Sequence, residues 1–138
     1  MSAAANKALV RQYYETVYNG RDLTAMDRFL APTFTSAGPG GAMDLAAHAQ
    51  ALALSQAALP DLQLTIEEQV AEGDTVVTRW SAHGTQQGVL FGIPPTGKHV
   101  TATAIHIHHM AAGKIMEQWE QFDALGMLHQ LGVLPPVG

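Results

Sequence analysis

Apolar residues recur at helical spacing in the first part of the chain and alternate with polar residues in the second part. Between residues 5 and 18, Leu9, Tyr13 and Val17 are spaced four residues apart, which indicates one apolar face of a helix. The pair Asn19-Gly20 follows, and these residue types are suited to a left-handed cap. The pattern therefore predicts a first helix that ends near residue 18.

Two more helices are predicted before the pattern changes. A short one runs from about Asp22 to the residues before Pro32, because proline disfavours helical conformation in the residue that precedes it. A brief extended piece and a glycine-rich loop are expected at 34–41. The longest helix is alanine-rich, which favours helix, and we expect it over 44–59, where Pro60 stops it.

From residue 62 onward, polar and apolar residues alternate as they do in half-buried strands. We expect hairpin turns at Glu72-Gly73-Asp74 and at Ala111-Ala112-Gly113. A short helix is expected last, from about Ala124 to Leu131. The four predicted strands are LQLTIEEQVAE, TVVTRWSAHGTQQGVL, KHVTATAIHIHHM and KIMEQWEQFD.

Helices followed by an antiparallel four-strand meander are typical of the α+β class. We expect a single domain over residues 1–138, since this length can bury a substantial core. A strongly curved sheet wrapped around the third helix would form a cone that is apolar inside and open at one end. Small-molecule sites favour cavities of that kind.

Composition narrows the classes of function. The chain is 47% hydrophobic and 14% charged, which argues against global disorder, and its net charge of −5 comes with no cluster of lysine or arginine. We therefore expect no nucleic-acid partner. No apolar run approaches the roughly 18 residues that span a bilayer, and no signal-peptide core is visible, so we expect no membrane association and a cytoplasmic protein. Without cysteine there is no thiol nucleophile and no zinc–thiolate site.

Three histidines fall within four residues of one predicted strand, namely His106, His108 and His109. Two of them share a face of the sheet and would chelate a metal ion if Glu120 completed the set. Alternatively, an apolar pocket would shift a carboxylate or histidine pKa toward neutrality, and His106 would pair with Glu120 or Asp123 for acid–base chemistry. Structural roles are the third interpretation, which we favour for His108 and His109.

The register of the last hairpin decides which side chains meet. A three-residue loop at Ala111-Ala112-Gly113, with the glycine left-handed, would place His106 opposite Gln118. Glu120 would then be the diagonal neighbour of His106 on the same face. Asp123 precedes a helix, where a carboxylate is also a good N-cap. In this register the opposite face carries Ile105, Ile107, His109, Ile115, Glu117, Trp119 and Asp123.

Two stretches carry a resemblance to a known family: HGTQQGVLFGIPPTGKHV at 83–100 and GKIMEQWEQFDALGMLHQLG at 113–132. They resemble the SnoaL-like polyketide cyclases, which belong to the NTF2-like superfamily of α+β cones. This resemblance implies an intramolecular aldol condensation that closes a ring of an aromatic polyketide methyl ester. It also implies that neither a metal nor an organic cofactor takes part.

The resemblance carries over to particular residues. With the Gly113-Lys114-Ile115 turn as anchor, the catalytic histidine of the family falls on His106. Its catalytic aspartate falls on either Glu120 or Asp123. Glu120 shares a face with His106 but is a glutamate, whereas Asp123 keeps the residue type and faces the other way in the predicted register. Both carboxylates therefore stay candidates.

Aromatic side chains are expected to bind the substrate, a small hydrophobic carbonyl-containing ligand. The candidates are Tyr18, Trp80, Phe91 and Trp119. Two functions stay open: a cofactor-free acid–base enzyme, either a cyclase or an isomerase, and a non-catalytic module that binds a small hydrophobic ligand. Since no helix is predicted to cover the outer face of the sheet, we also expect a homodimer.

Overall fold

The computed structural model describes residues 2–38 and 41–134, and it confirms the α+β class with one curled sheet of six strands and a few helices. The elements in chain order are helix α1 (Ala3–Tyr13), a π-helical segment (Tyr14–Asn19), a 3₁₀ segment (Leu23–Arg28), β1 (Leu30–Gly38), β2 (Gly41–Asp44), α2 (Leu45–Ala58), β3 (Gln63–Glu72), β4 (Thr75–Thr85), β5 (His99–Ala111), β6 (Lys114–Phe122) and α3 (Ala124–Gln130). None of these helices is long and apolar enough to cross a membrane.

The first helix ends differently from the prediction. Its last turns widen into the π-helical segment, and the left-handed residue that follows is Arg21, with φ 56°, rather than Gly20. Gly20 is required for another reason, since a Cβ there would lie 2.6 Å from the carbonyl oxygen of Thr16. The widened turn also brings the consecutive side chains Tyr13 and Tyr14 into the core.

The third predicted helix is confirmed as α2. It begins after Asp44, whose Oδ1 accepts a hydrogen bond from the backbone N–H of Ala47 at 2.9 Å. The second predicted helix forms only the 3₁₀ segment, because the chain is already extended from Leu30 onward.

The sheet has the strand order β2-β1-β6-β5-β4-β3. Strands β3 to β6 form the predicted antiparallel meander. The expectation of four strands is wrong, because β1 joins the sheet parallel to β6 and β2 pairs antiparallel with β1. The stretch at 34–41, predicted as an extended piece and a loop, overlaps both extra strands, but β1 begins before it and β2 continues beyond it. Part of that loop, at 39–40, lies outside the described residues.

The last hairpin corrects the predicted register. Ala112 and Gly113 both have positive φ, 51° and 75°, and form a two-residue turn instead of the expected three-residue loop. An irregularity between His109 and Met110 shifts the pairing once more. As a result, His106 lies directly opposite Glu120, not opposite Gln118.

The same shift in pairing moves one residue to the face of the sheet opposite to the one predicted. Ile115 was expected on the outer face, but it pairs with Met110 and is fully buried. The outer face keeps Ile105, Ile107 and Trp119, which are exposed. The inner face packs against α1, the π-helical segment and α2. The core there includes Val10, Tyr13, Tyr14, Val17, Phe29, Leu30, Phe34, Val76 and Ile115.

Candidate active site

A cavity of about 310 Å³ lies between the inner face of the sheet and α2. This volume is within the usual range for small-molecule sites, and most of the wall is apolar. A ligand inside would exchange water for hydrocarbon over most of its surface. The apolar part of the wall includes Met43, Leu52, Leu64, Trp80, Leu90 and Phe122.

One carboxylate interrupts this apolar wall. Among the described residues that line the cavity, Glu120 is the only acidic one. Its Oε1 lies 2.7 Å from Nε2 of His106. The side chain of Glu120 is 30% exposed, whereas that of His106 is fully buried. A ligand in the cavity would therefore contact the carboxylate, with the imidazole behind it.

The other ring nitrogen of His106 has a partner as well. Its Nδ1 lies 2.7 Å from the hydroxyl of Tyr14. Burial raises the pKa of Tyr14 well above its usual value, so the phenol keeps its proton and can donate it to Nδ1. A carboxylate oxygen only accepts, so Nε2 carries a ring hydrogen and donates it to Glu120. The two partners fix the orientation of the ring.

Three separate parts of the fold build this chain of hydrogen bonds. The π-helical segment supplies Tyr14, and the facing positions on β5 and β6 supply His106 and Glu120. Strand β1 carries a glycine, Gly38, next to this carboxylate. A Cβ at Gly38 would lie 3.2 Å from both Cβ and Oε2 of Glu120, so glycine leaves room for the carboxylate.

Two further buried histidines lie beside this chain. Nε2 of His108 is 2.8 Å from Oε1 of Gln118, and Nε2 of His48 is 3.1 Å from the hydroxyl of Tyr13. Burial lowers the pKa of His108 to about 3 and that of His48 to about 4, with a smaller contribution from the nearby His106. Both rings are therefore neutral at pH 7. Within residues 2–38 and 41–134, no group of three or more acidic or histidine side chains is arranged to hold a metal ion.

The structure brings three of the four predicted aromatic residues to the cavity, namely Tyr18, Trp80 and Phe91. The ring of Trp80 meets His106 edge-on at 5.2 Å between centroids. Phe91 is 58% exposed and has a left-handed backbone, with φ 52°. Trp119 is not brought to the cavity, because it points out from the opposite face of the sheet.

Asp123 and His109 lie away from the cavity wall. Oδ1 of Asp123 accepts a hydrogen bond from the backbone N–H of Gly126 at 2.9 Å, so this carboxylate caps α3. His109 lies on the outer face, where its Nδ1 is 3.0 Å from Glu117. Of the two carboxylates that the sequence left open, Glu120 is the one that meets both His106 and the cavity.

Sequence reasoning missed four polar residues of this site: Tyr14, Ser36, His48 and Gln118. A signal existed for His48, since it shares a four-residue spacing with Leu52 and Gln56 on α2, and all three are buried. Ser36 was missed although an extended piece was predicted there, because its pairing with β6 was not predicted. The register error hid the pairing of Gln118 with His108.

Comparison with known proteins points to one family. The family model described as SnoaL-like polyketide cyclase matches residues 8–131. A search of curated protein sequences finds no significant match.

Solved structures provide close matches over nearly the whole chain. AclR, a candidate hydroxylase from Streptomyces galilaeus, is 28% identical with a TM-score of 0.90, over 99% of this chain and 91% of that one. TsrD from Streptomyces laurentii is 28% identical with a TM-score of 0.88, over 97% and 99% of the two chains. IdmH, a candidate polyketide cyclase from Streptomyces antibioticus, is 30% identical with a TM-score of 0.81, over 93% and 99%.

Proposed function

The chain belongs to the SnoaL-like polyketide cyclase family, and from this premise we propose that it is a cofactor-independent aldol cyclase. Its substrate would be a hydrophobic polyketide ester with a carbon acidified by neighbouring carbonyl groups. One observation carries the proposal. Glu120 stands on the wall of an apolar cavity and accepts a hydrogen bond from a buried histidine that Tyr14 holds from its other side.

In the first step, the carboxylate of Glu120 removes a proton from the acidic carbon. The electron pair of the broken C–H bond moves onto the adjacent carbonyl oxygen and gives an enolate. The N–H of His106 holds Oε1, which leaves the second oxygen of the carboxylate to take the proton. The imidazole thus acts as a positioning residue, because it touches Glu120 and lies behind it from the cavity.

In the second step, the enolate carbon attacks a distant carbonyl carbon of the same molecule and closes a ring. The carbon–oxygen double bond under attack becomes an alkoxide. The alkoxide takes back the proton from the carboxyl group of Glu120, which restores the carboxylate. Atoms and electrons balance within the substrate and one side chain, so the cycle consumes no co-reactant.

The rest of the cavity contributes through orientation. A flexible chain of ketones has many conformations, and ring closure needs the two reacting carbons within about 3.5 Å. Apolar walls such as those of Leu64 and Trp80 would hold the chain folded and keep out water. They would also favour substrates whose other end is flat and hydrophobic.

The experiment that tests this proposal follows deuterium exchange by NMR at the acidic carbon of a β-dicarbonyl methyl ester. We expect the wild-type protein to accelerate exchange, and Glu120→Gln to lose about 10²- to 10⁴-fold of that rate, the usual contribution of a general base. His106→Gln should lower the rate less, since the carboxylate remains. Asp123→Asn, the matched control, should exchange like the wild type.

Two outcomes would overturn the assignment. If Asp123→Asn lost the activity while Glu120→Gln kept it, the base would be the capping residue. If the wild type matched buffer although the ester bound in the cavity, the protein would be a non-catalytic module for small hydrophobic ligands.

A further inference from the structure

Gln118 places an unused hydrogen-bond donor beside the proposed base. It lies two residues before Glu120 on β6, so the two side chains share the inner face. Gln118 lines the cavity and is only 4% exposed. Its Oε1 faces Nε2 of His108 at 2.8 Å, and its amide nitrogen has no hydrogen-bond partner among residues 2–38 and 41–134.

His108 determines which way this amide points. The ring is fully buried and neutral, and its Nδ1 has no partner in the described part of the chain. Nε2 carries the ring hydrogen and donates it to Oε1 of Gln118, which leaves the bare lone pair of Nδ1 as the less costly unpaired group. The amide N–H₂ of Gln118 is consequently turned away from the histidine and toward the cavity.

Ser36 lies next to Gln118 on the neighbouring strand. The two residues are register partners in the parallel pairing of β1 with β6, and adjacent strands lie about 4.8 Å apart. Ser36 also lines the cavity, is 5% exposed, and has a hydroxyl with no partner among the described residues. Buried polar groups without partners are uncommon in folded proteins, and this hydroxyl stands beside the amide of Gln118.

We propose that Nε2 of Gln118 and Oγ of Ser36 form an oxyanion site, which binds the substrate oxygen that becomes negative when Glu120 removes the proton. This inference rests on the proposed function and adds a ligand class to it: a carbonyl compound that binds as its enolate, or a phenol that binds as its phenolate. Both donors are neutral, and hydrogen bonds to an ionised oxygen are about twice as strong as those to a neutral one. The site therefore favours the enolate over the ketone.

The spacing along β6 agrees with this assignment. Residues two apart on a strand are separated by about 6.6 Å. A donor lies about 2.9 Å from the oxygen that it binds, and a carbonyl oxygen lies about 2.4 Å from the carbon next to its own. That carbon must come within about 3.5 Å of the carboxylate that deprotonates it. These three lengths, joined at an angle, reach from the amide of Gln118 through the substrate to the carboxylate of Glu120.

The test uses 4-nitrophenol as the probe and the apparent pKa of the bound phenol, read from its absorbance, as the measurement. We use Glu120→Gln as the background, because a neutral side chain there resembles the protonated base that faces the enolate. In this background the bound phenol should titrate about one to two pH units lower than in a double variant that also carries Gln118→Met. Gln121→Met, on the outer face of the same strand, is the matched control and should cause no shift.

Ser36→Ala in the same background should also raise the pKa of the bound phenol, as Gln118→Met does. If Gln118→Met does not fold, Ser36→Ala supplies the test on its own. His108→Leu removes the N–H that orients the amide, so we expect part of the shift to disappear while Gln118 is still present. Identical phenol pKa values with and without Gln118→Met and Ser36→Ala would overturn the oxyanion site. Failure of the folded background protein to bind 4-nitrophenol at all would overturn it too.

The two proposals fail separately. Catalysed deuterium exchange together with an unshifted phenol pKa removes the oxyanion site and leaves Glu120 as the base. A lowered phenol pKa in a protein that catalyses no exchange removes the cyclase and leaves a cavity that binds anionic oxygen.

Discussion

His48 and His108 are held neutral by their surroundings, and this has a consequence for stability. Their pKa values fall to about 4 and about 3, chiefly because burial disfavours the charged ring. In the unfolded chain a histidine titrates near 6.5. Between the unfolded and the folded pKa, the unfolded state therefore binds more protons than the folded state.

The free energy of unfolding should therefore fall as the pH falls. Stability contributed by a histidine whose folded pKa is lowered is fully present above about pH 6.5 and is lost as the pH falls toward the folded value. Each of the two rings should contribute a slope of about 1.4 kcal/mol per pH unit between roughly pH 6 and pH 4.5. We expect the free energy of unfolding, measured with urea, to fall steeply over that interval.

A variant separates this contribution from that of the carboxylates. His48→Gln keeps a partner for the hydroxyl of Tyr13 but does not titrate, so its slope should be shallower by about 1.4 kcal/mol per pH unit. His129→Gln, at an exposed position, is the control and should keep the wild-type slope. Equal slopes in the wild type and His48→Gln would show that His48 does not stay neutral in the fold.

At the scale of elements, the short helix α3 depends on its first cap. Asp123 follows β6 and accepts a hydrogen bond from the backbone N–H of Gly126, while Met127 on the same helix lines the cavity. Asp123→Ala should destabilise the protein by about 1 kcal/mol, the usual loss for an N-cap, whereas Asp123→Asn should cost much less. Urea unfolding of both variants measures this difference.

The rate of deuterium exchange separates capping from catalysis at this position. If Asp123 only caps the helix, folded Asp123→Ala retains exchange close to the wild-type rate. A loss of exchange that exceeds the loss of folded protein would instead assign chemistry to this carboxylate.

In the hairpin of β5 and β6, the turn decides which residues pair across the two strands. Strand alternation correctly placed His106, His108, Gln118 and Glu120 on one face, because the alternation of side chains is a local property. The partner of each residue was wrong, since the turn has two residues rather than three and an irregularity follows it. The turn type changed a diagonal contact of His106 with Glu120 into a direct one.

At the scale of the whole molecule, one apolar surface is left uncovered by residues 2–38 and 41–134. Ile107 and Trp119 are register partners on the outer face of the sheet, Ile105 lies beside them, and all three are exposed. Exposed apolar patches of this kind mark association surfaces. We propose that two copies of the chain pack through this face as a homodimer.

A charged residue introduced on this outer face should therefore prevent two copies of the chain from associating. We expect the wild-type protein to sediment as a dimer at micromolar concentration, and Ile107→Glu or Trp119→Lys to sediment as monomers. Leu54→Glu, the control for Ile107→Glu, introduces a negative charge at an exposed apolar position on α2 and should leave the dimer intact. A wild-type monomer at micromolar concentration would contradict the proposal.

Residues 83–100 and 113–132 were enough to recognise the family, and the period of the apolar pattern was enough to find α1, α2 and four of the strands. Both kinds of information are local, since a motif or an amphipathic face is complete within some 20 residues. The candidate carboxylates lie in the second stretch, and the candidate histidine His106 lies between the two. The choice between Glu120 and Asp123 could not be made from these local stretches.

That choice depended on contacts between distant parts of the chain. Tyr14 reaches His106 across 92 positions, and β1 pairs with β6 from the other end of the molecule. Such contacts follow from turn geometry, a bulge and a widened helical turn, which displace whole segments without changing the apolar pattern. Local periodicity thus predicted which side chains face inward, while the closure of the fold brought Glu120, His106 and Tyr14 into one chain of hydrogen bonds.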